Sequence, residues 1–408
     1  MCIRDSFRTM TIPEIDFPSS DSDFIKDPYP LMKDLREMSP VVLDKTTDLQ
    51  LVTRFDGVKN IQTSKNFSSS PPNDLEGSES SIIDPKEYEY FWKTEEFSLL
   101  NLEGQLHGDL RNLVAKAFSN RQVQELRPFM ENKSSSLLEG LKGEEFDLLK
   151  DYAQPYSISV IGKLLGVPED MYERFLDWSN KIVKMYDLKV SDEDSADAEN
   201  AAKEFYEYTL SLIDQKVNTP GDDMITRLAN VTENDQKLTK DQIICTVILL
   251  LNAGHEATVN TIGNSIVTLA NNNIDTLNLD KKYNIKNIIE ELIRFDSPLQ
   301  FFQRWVLDDD YVGGVEVKKH SKVAILLGSA NRDADSFAEP DQINFKRSNL
   351  SHTSFGGGVH FCLGAHLARL ELEVSFNNLF SNSILLESQP ERTGAFGIRG
   401  YKEIKVKI

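Results

Sequence analysis

The chain has 408 residues, 40% of them hydrophobic, and a formal net charge of −20. Such a chain can bury a large core, and its acidity excludes nucleic acid and anionic membrane surfaces as partners. Three cysteines, Cys2, Cys245 and Cys362, are too few and too scattered for a disulfide framework or a zinc site, so a reducing compartment is expected. Met1 to Met10 carry no hydrophobic signal region, and no apolar run is long enough to span a bilayer. Residues 1–9 read as a non-native or disordered extension, followed by a single domain over 10–408. No linker, composition break or internal repeat divides it.

In chain order, Asp27-Pro28-Tyr29-Pro30 before Leu31 reads as a turn entering a helix. Leu51 to Phe55 reads as a short strand, with Asp56-Gly57 as a turn. Residues 68–101, rich in Ser, Pro, Asp and Glu, read as a solvated surface loop with an apolar patch at Phe97-Ser98-Leu99-Leu100. His107 and Arg111, four apart in a helical run, share a helix face, which suits either plain surface polarity or a binding pair. Amphipathic helices with acidic loops follow over residues 121–235, and Val190 to Asn200 reads as an exposed connection.

Thr239 and Gln242 are spaced for a capping box. The apolar pattern continues to about Leu269, a helix of ~30 residues and ~45 Å. Being apolar nearly all round, it should cross the core. Inside it lies Ala253-Gly254-His255-Glu256-Ala257-Thr258, polar groups in a dry setting, which are either a kink with a satisfied acid or a functional site. Asn252 shares a face with Glu256. Glu290-Glu291-Leu292-Ile293-Arg294 is helical, then a strand pair spans Asp310 to Val317. Near the end, Phe396-Gly397-Ile398 reads as a turn tip, and Glu403 to Ile408 as an alternating strand.

Cys362 sits between glycines, just before the helix-forming run that follows Gly364. Orphan N–H groups and the positive end of the helix dipole there stabilise a thiolate. A lone Cys can equally be a small buried hydrophobe. The surroundings decide. Phe355-Gly356-x-Gly358-x-His360-x-Cys362-x-Gly364, followed by Leu367-Ala368-Arg369-x-Glu371, closely resembles the haem-binding loop of the cytochrome P-450 superfamily.

That resemblance implies a mainly α fold with small β-sheets, of the soluble bacterial type, with haem b between the long central helix and the Cys-loop helix. Phe355, Gly356, His360 and Gly364 then belong to the haem loop, and Cys362 is the proximal thiolate ligand of the iron, a ligation that favours O–O cleavage. His107-x-x-x-Arg111 resembles the family's propionate-binding pair, although Glu103-Gly104-Gln105-Leu106 replaces the usual acidic-Pro-Pro-Glu run. Arg304 and His360 fit the matching propionate roles. Ala253-Gly254 resembles the oxygen groove, and Glu256 the acid of the proton relay. The usual relay threonine is Ala257 here, and Thr258, one residue on, is turned by ~100°. Water or a substrate hydroxyl is expected to stand in. Glu291 and Arg294 match the family's Glu-x-x-Arg, with Arg347 as third member, all structural. Leu99, Phe301, Phe302 and Ile398 are the implied apolar pocket, with Asn252 offering substrate a hydrogen bond.

The implied reaction inserts one atom of O2 into a C–H bond of a mainly apolar small molecule. A separate ferredoxin and its reductase supply electrons, in the cytoplasm. A peroxide-driven hydroxylase of the same fold and a non-catalytic haem sensor or carrier are the alternatives.

Overall fold

The computed structural model describes residues 12–72, 74, 87–186, 190–233 and 236–408. The expected extension at 1–9 and part of the 68–101 stretch lie outside the described residues. The chain is mainly helical, with a six-stranded mixed sheet and three smaller sheets among the described residues. In the large sheet Lys322–Leu326 runs parallel to Leu49–Val52 and antiparallel to Phe301–Val306, with Ala324 opposite Gln303. A second sheet joins Leu385–Leu386, Lys405–Lys407 and Glu145–Asp147.

The helix Lys240–Asn271 is the axis of the molecule. It starts where the spacing predicts: Thr239 Oγ1 accepts from the Gln242 N–H at 3.2 Å, and Gln242 Oε1 accepts from the Thr239 N–H at 2.9 Å. Contrary to expectation, this run is long and apolar enough to cross a membrane by length and composition. Its apolar surface is instead taken up by protein. Helices Gln154–Leu165, Asp192–Asn218 and Ile285–Phe295 pack around it, and Ile244, Val247, Leu251, Ile262 and Leu269 are fully or nearly fully buried. The exception is mid-helix. Leu249, Leu250, Gly254, Glu256 and Ala257 are only half-buried and Ala253 is exposed, so one stripe opens away from the core.

Two readings of the sequence need correction. Asp56-Gly57 is not a turn but lies inside the helix Phe55–Thr63. A distant residue starts that helix: the Phe55 N–H donates to Asp333 Oδ2 at 2.8 Å, satisfying an orphan donor that no local cap covers. Gly57 is there for space, since a β-carbon would lie 3.0 Å from both Val52 and Val312. The supposed connection from Val190 to Asn200 is mostly the first turns of the helix Asp192–Asn218. Ser191 caps it, Asp192, Glu193 and Asp194 load its positive end, and Ala198, Ala201 and Ala202 form a buried small-residue stripe. The Asp, Glu, Ser and Ala content that suggested a loop is the composition of a well-started helix.

Candidate functional site

The segment before the helix Ala365–Leu379 makes a tight loop around Cys362. Gly356 and Gly358 both have positive φ, and a β-carbon on Gly358 would lie 2.5 Å from the Gln62 carbonyl, so only glycine lets this loop close on the helix Phe55–Thr63. The Cys362 N–H donates to the Phe355 carbonyl at 2.8 Å. The thiol itself is half-buried. Burial pushes it above its ordinary range, while the N–H groups of Gly364 and Ala365 and the charges of Arg111 and Arg369 pull the other way. The helix terminus therefore favours the thiolate as expected, but desolvation outweighs it. Coordination to a metal cation would reverse that balance, because it deprotonates a thiol outright.

Beside this loop lies a cluster of basic side chains. His107 and Arg111 project from the helix Gly104–Ala117, and Arg111 Nη2 donates to the carbonyl of Phe361, next to Cys362. The His107 and His360 rings are 4.5 Å apart. Burial, then His360 and Arg111, hold His107 down at about 4. Burial also lowers Arg304, with Glu103 opposing. Among the described residues, the carboxylate in this cluster is Glu103, 3.0 Å from His360 Nε2 and accepting from the Ser69 N–H at 2.6 Å. Burial works to raise that carboxyl, but His360 and Ser69 hold it low. Among the described residues, His107 Nε2 is buried with no partner. The cluster is short of anionic oxygen.

On the central helix, Asn252 is buried and neither side-chain polar atom has a partner among the described residues. A β-carbon on Gly254 would lie 3.2 Å from Ile161, so the two helices approach closely there. Burial raises the Glu256 carboxyl, with a hydrogen bond from Asn260 opposing. Ala257 contributes only a methyl group to the open stripe. The Thr258 hydroxyl donates to the Gly254 carbonyl at 3.2 Å and is buried. Its hydroxyl is therefore turned into its own helix, in the back-bond to the i−4 carbonyl open to helical Thr, and its position lies ~100° around the helix from 257.

A family model described as "Cytochrome P450" matches residues 76–274 and 284–392. The chain belongs to the cytochrome P-450 family. It is 33% identical over 378 residues to cytochrome P-450 107B1 of Saccharopolyspora erythraea, covering 91% of each chain. With the polyketide biosynthesis enzyme PksS of Bacillus subtilis it shares 33% identity over 74% of this chain and 75% of the relative. Among solved structures, a complex of the BioI enzyme with an acyl carrier protein bearing hexadec-9Z-enoic acid superposes with a TM-score of 0.87 at 30% identity, over 95% of this chain and 99% of the other. CYP109E1 of Bacillus megaterium in complex with testosterone gives a TM-score of 0.79 at 29% identity, over 93% and 99%. The protein is a haem monooxygenase, its cofactor is haem iron, and O2 is its co-substrate.

The residues present fit a haem of this P-450 type. A large dianionic group would supply the oxygen that His107 Nε2 lacks, and the Glu103 carboxylate on His360 marks a position where such an oxygen is held. Behind the Cys loop the P-450 core is locked by ion pairs. Arg294 makes a two-pronged contact with Glu291 at 2.8 and 2.9 Å, and both side chains are fully buried. Arg347 joins Glu291 at 3.0 Å. Burial works to raise Glu291, but Arg294 and Arg347 hold it low. Arg294 also donates to the Asn331 carbonyl, and the Asn331 side chain donates to Ser354 and accepts from the Thr353 N–H, immediately before the loop.

The pocket candidates are scattered. Phe301 stacks on Phe396 at 5.5 Å, over a cluster with Phe17 and Phe24, whereas Phe302 packs against Val323, Ile325 and their neighbours. Adjacent strand residues point to opposite faces, so these two rings do not form one surface. Leu99 is buried in the main core. Ile398 is half-buried and bridges to Leu299.

Sequence reasoning passed over several residues. Glu290 pairs with Arg369 and with His352, tying the Glu-x-x-Arg helix to the cysteine helix; burial opposes, but these partners hold Glu290 at about 2. Asp296 binds Arg399 and Arg392 and accepts from the Tyr29 hydroxyl. Sequence spacing gives no signal for pairs 79 to 267 residues apart, such as Glu290–Arg369 and Tyr29–Asp296. Asn260 was readable, being four residues beyond Glu256.

Proposed function

We propose that the Cys362 thiolate would hold the haem iron, that His107, Arg111, Arg304 and His360 would hold the two haem carboxylates, and that Phe355, Gly356 and Gly364 shape the loop that would face it. Arg111 carries this reading, because one guanidinium both joins the carboxylate-binding cluster and touches the carbonyl next to Cys362. When bound, the haem supplies reductive activation of O2. The chain's own residues do the rest. Ala253 and Gly254 leave room beside the central helix. Glu256, whose carboxyl burial pushes upward, is placed to hold a proton for delivery to the site. Ala257 offers no hydroxyl and Thr258 is turned away, so a water or a hydroxyl of the substrate completes the relay. Asn252 has both amide atoms free for a polar group on that substrate.

The substrate is a mainly apolar small molecule of terpenoid, fatty-acid or polyketide character. Ile398 and the half-buried Leu249, Leu250 and Ala257 support an apolar lining. Solved relatives were captured with testosterone and with a carrier-bound fatty acid. Electrons come from a separate ferredoxin and its reductase, in the cytoplasm. The test is a spectral titration of the purified ferric protein against apolar and hydroxylated compounds. A saturable low-to-high-spin shift with apolar ligands is expected. Shifts only with small polar ligands would overturn the substrate class, and a Cys362→Ser protein with an unchanged haem spectrum would overturn the ligand assignment.

The missing hydroxyl at Ala257 also favours a second reading, a peroxide-driven hydroxylase of the same fold. Turnover with peroxide alone, at rates matching the electron-fed system, would establish it.

A further inference from the structure

The acid on the central helix does not stand alone. Asn260 Nδ2, one turn further on, donates to Glu256 Oε2 at 3.2 Å. Asn260 is itself buried, 7% exposed, and it is walled in from outside the helix. A β-carbon on Gly400 would overlap the Asn260 side-chain oxygen and sit 2.7 Å from its Cγ. The Gly400 backbone therefore lies flat against the amide.

That backbone is itself fixed. Asn264, one turn beyond Asn260, donates to the Arg399 carbonyl at 2.9 Å. The Arg399 N–H donates to the Pro298 carbonyl at 2.7 Å, and its guanidinium binds Asp296 at 2.7 Å. Two consecutive residues of the C-terminal segment are thus seated on two consecutive turns of the central helix. They directly follow Ile398, whose tip bridges to Leu299.

We propose that Asn260 is a positioning residue for Glu256, and that Gly400 is glycine so that the backbone can press the Asn260 amide into that role. The proposal rests on the relay reading of Glu256. A freely rotating Glu256 can turn toward bulk water or toward the open stripe. One hydrogen bond from a side chain that cannot move selects a single orientation of the carboxyl. The same bond stabilises the ionised form, and burial and Asn260 are the two influences that act on this carboxyl. Removing the donor should therefore raise its proton affinity further. The seat at Arg399 and Gly400 also links the acid to the turn carrying Ile398, so a ligand pressing on that turn bears on the orientation of Glu256.

The test uses the haem-loaded ferric protein, with haem content and the thermal midpoint checking the fold. Its first readout is the infrared carboxyl band of Glu256, identified by its loss in Glu256→Gln and titrated with pH in the resting protein. Asn260→Ala is expected to raise the titration midpoint by roughly one unit or more, since hydrogen bonds to charged groups are worth about that much. Gly400→Ala, which alters neither Asn260 nor Glu256 chemically but dislodges the amide, is expected to move it the same way. Asn260→Ser, a smaller donor, should recover part of the shift. The second readout is product formed per NADH consumed, whose pH profile should follow the band. An unmoved band in both Asn260→Ala and Gly400→Ala overturns the positioning role. A band that moves while the coupling profile stays fixed keeps the positioning role and overturns the relay reading of Glu256.

Discussion

At the scale of single residues, Ala257 has the most direct consequence. The proposed relay has no hydroxyl at position 257, and the Thr258 hydroxyl donates to the Gly254 carbonyl. Ala257→Thr should change the fraction of NADH converted to product, raising it for substrates without a hydroxyl and lowering it for hydroxyl-bearing ones. Equal coupling in both proteins across such a pair of substrates would show that nothing needed replacing. His255 makes a prediction about stability. It is 1% exposed, neither ring nitrogen has a partner among the described residues, and burial lowers it from 6.5 to about 4. The folded state resists its protonation, so the unfolded chain takes up the proton first. Stability from this residue is complete above the ordinary value and is lost as pH falls from 6.5 toward about 4. Between pH 8 and pH 5 the loss is about 2 kcal/mol. His255→Leu should show a smaller fall by about that amount in urea unfolding at the two pH values. Equal falls would mean that the imidazole finds a partner or water. Cys362, Glu256 and Ala257 were legible because a local motif surrounds each of them. Glu103 was read only as a departure from pattern, because its contact with His360 spans 257 residues.

Among the elements, those that carry their own start signals were readable. The central helix declares its capping box at Thr239 and Gln242, and the cysteine helix declares Gly364 and its apolar run. The helix Phe55–Thr63 was missed because its cap comes from Asp333, on the far side of the sequence. Pattern reading also took acidic residues at a helix start for a loop at Asp192, where they complement the dipole. The junction of the Glu-x-x-Arg helix with the segment before the Cys loop is the element-level feature open to test. Glu291 is fully buried and satisfies Arg294, Arg347 and the N–H of Asn344 at once. Replacing it by Gln removes the one negative charge facing two buried guanidinium groups, and breaking a buried pair costs about 3–5 kcal/mol. Glu291→Gln should lower the urea midpoint accordingly and release haem earlier than the global transition, since Asn331 passes this network on to Thr353 and Ser354. Haem loss coincident with global unfolding would show that the network supports the core without specifically supporting the loop.

For the molecule as a whole, the net charge of −20 bears on how electrons arrive. A ferredoxin donor of acidic character meets long-range repulsion from this chain. At ~10 mM salt the Debye length is ~30 Å, and the donor feels most of the charge. Near 0.1 M it falls to ~10 Å, and only groups close to the contact count. A donor docking beside the Cys loop would meet Arg111 and Arg369, whose charges reach the Cys362 thiol although Glu290 pairs with Arg369 and the haem carboxylates are proposed to pair with Arg111. Repulsion of the whole and attraction at the contact are therefore screened over different ranges of salt. The second-order rate of reduction by an acidic ferredoxin should rise from ~10 mM to ~0.1 M as the long-range term is removed, then fall at higher salt as the local one weakens. Stopped-flow reduction across that series separates the cases. A rate that rises throughout leaves no electrostatic attraction at the contact. A rate that falls throughout means that the cations near the loop outweigh the acidity of the entire surface, even where the Debye length spans most of it.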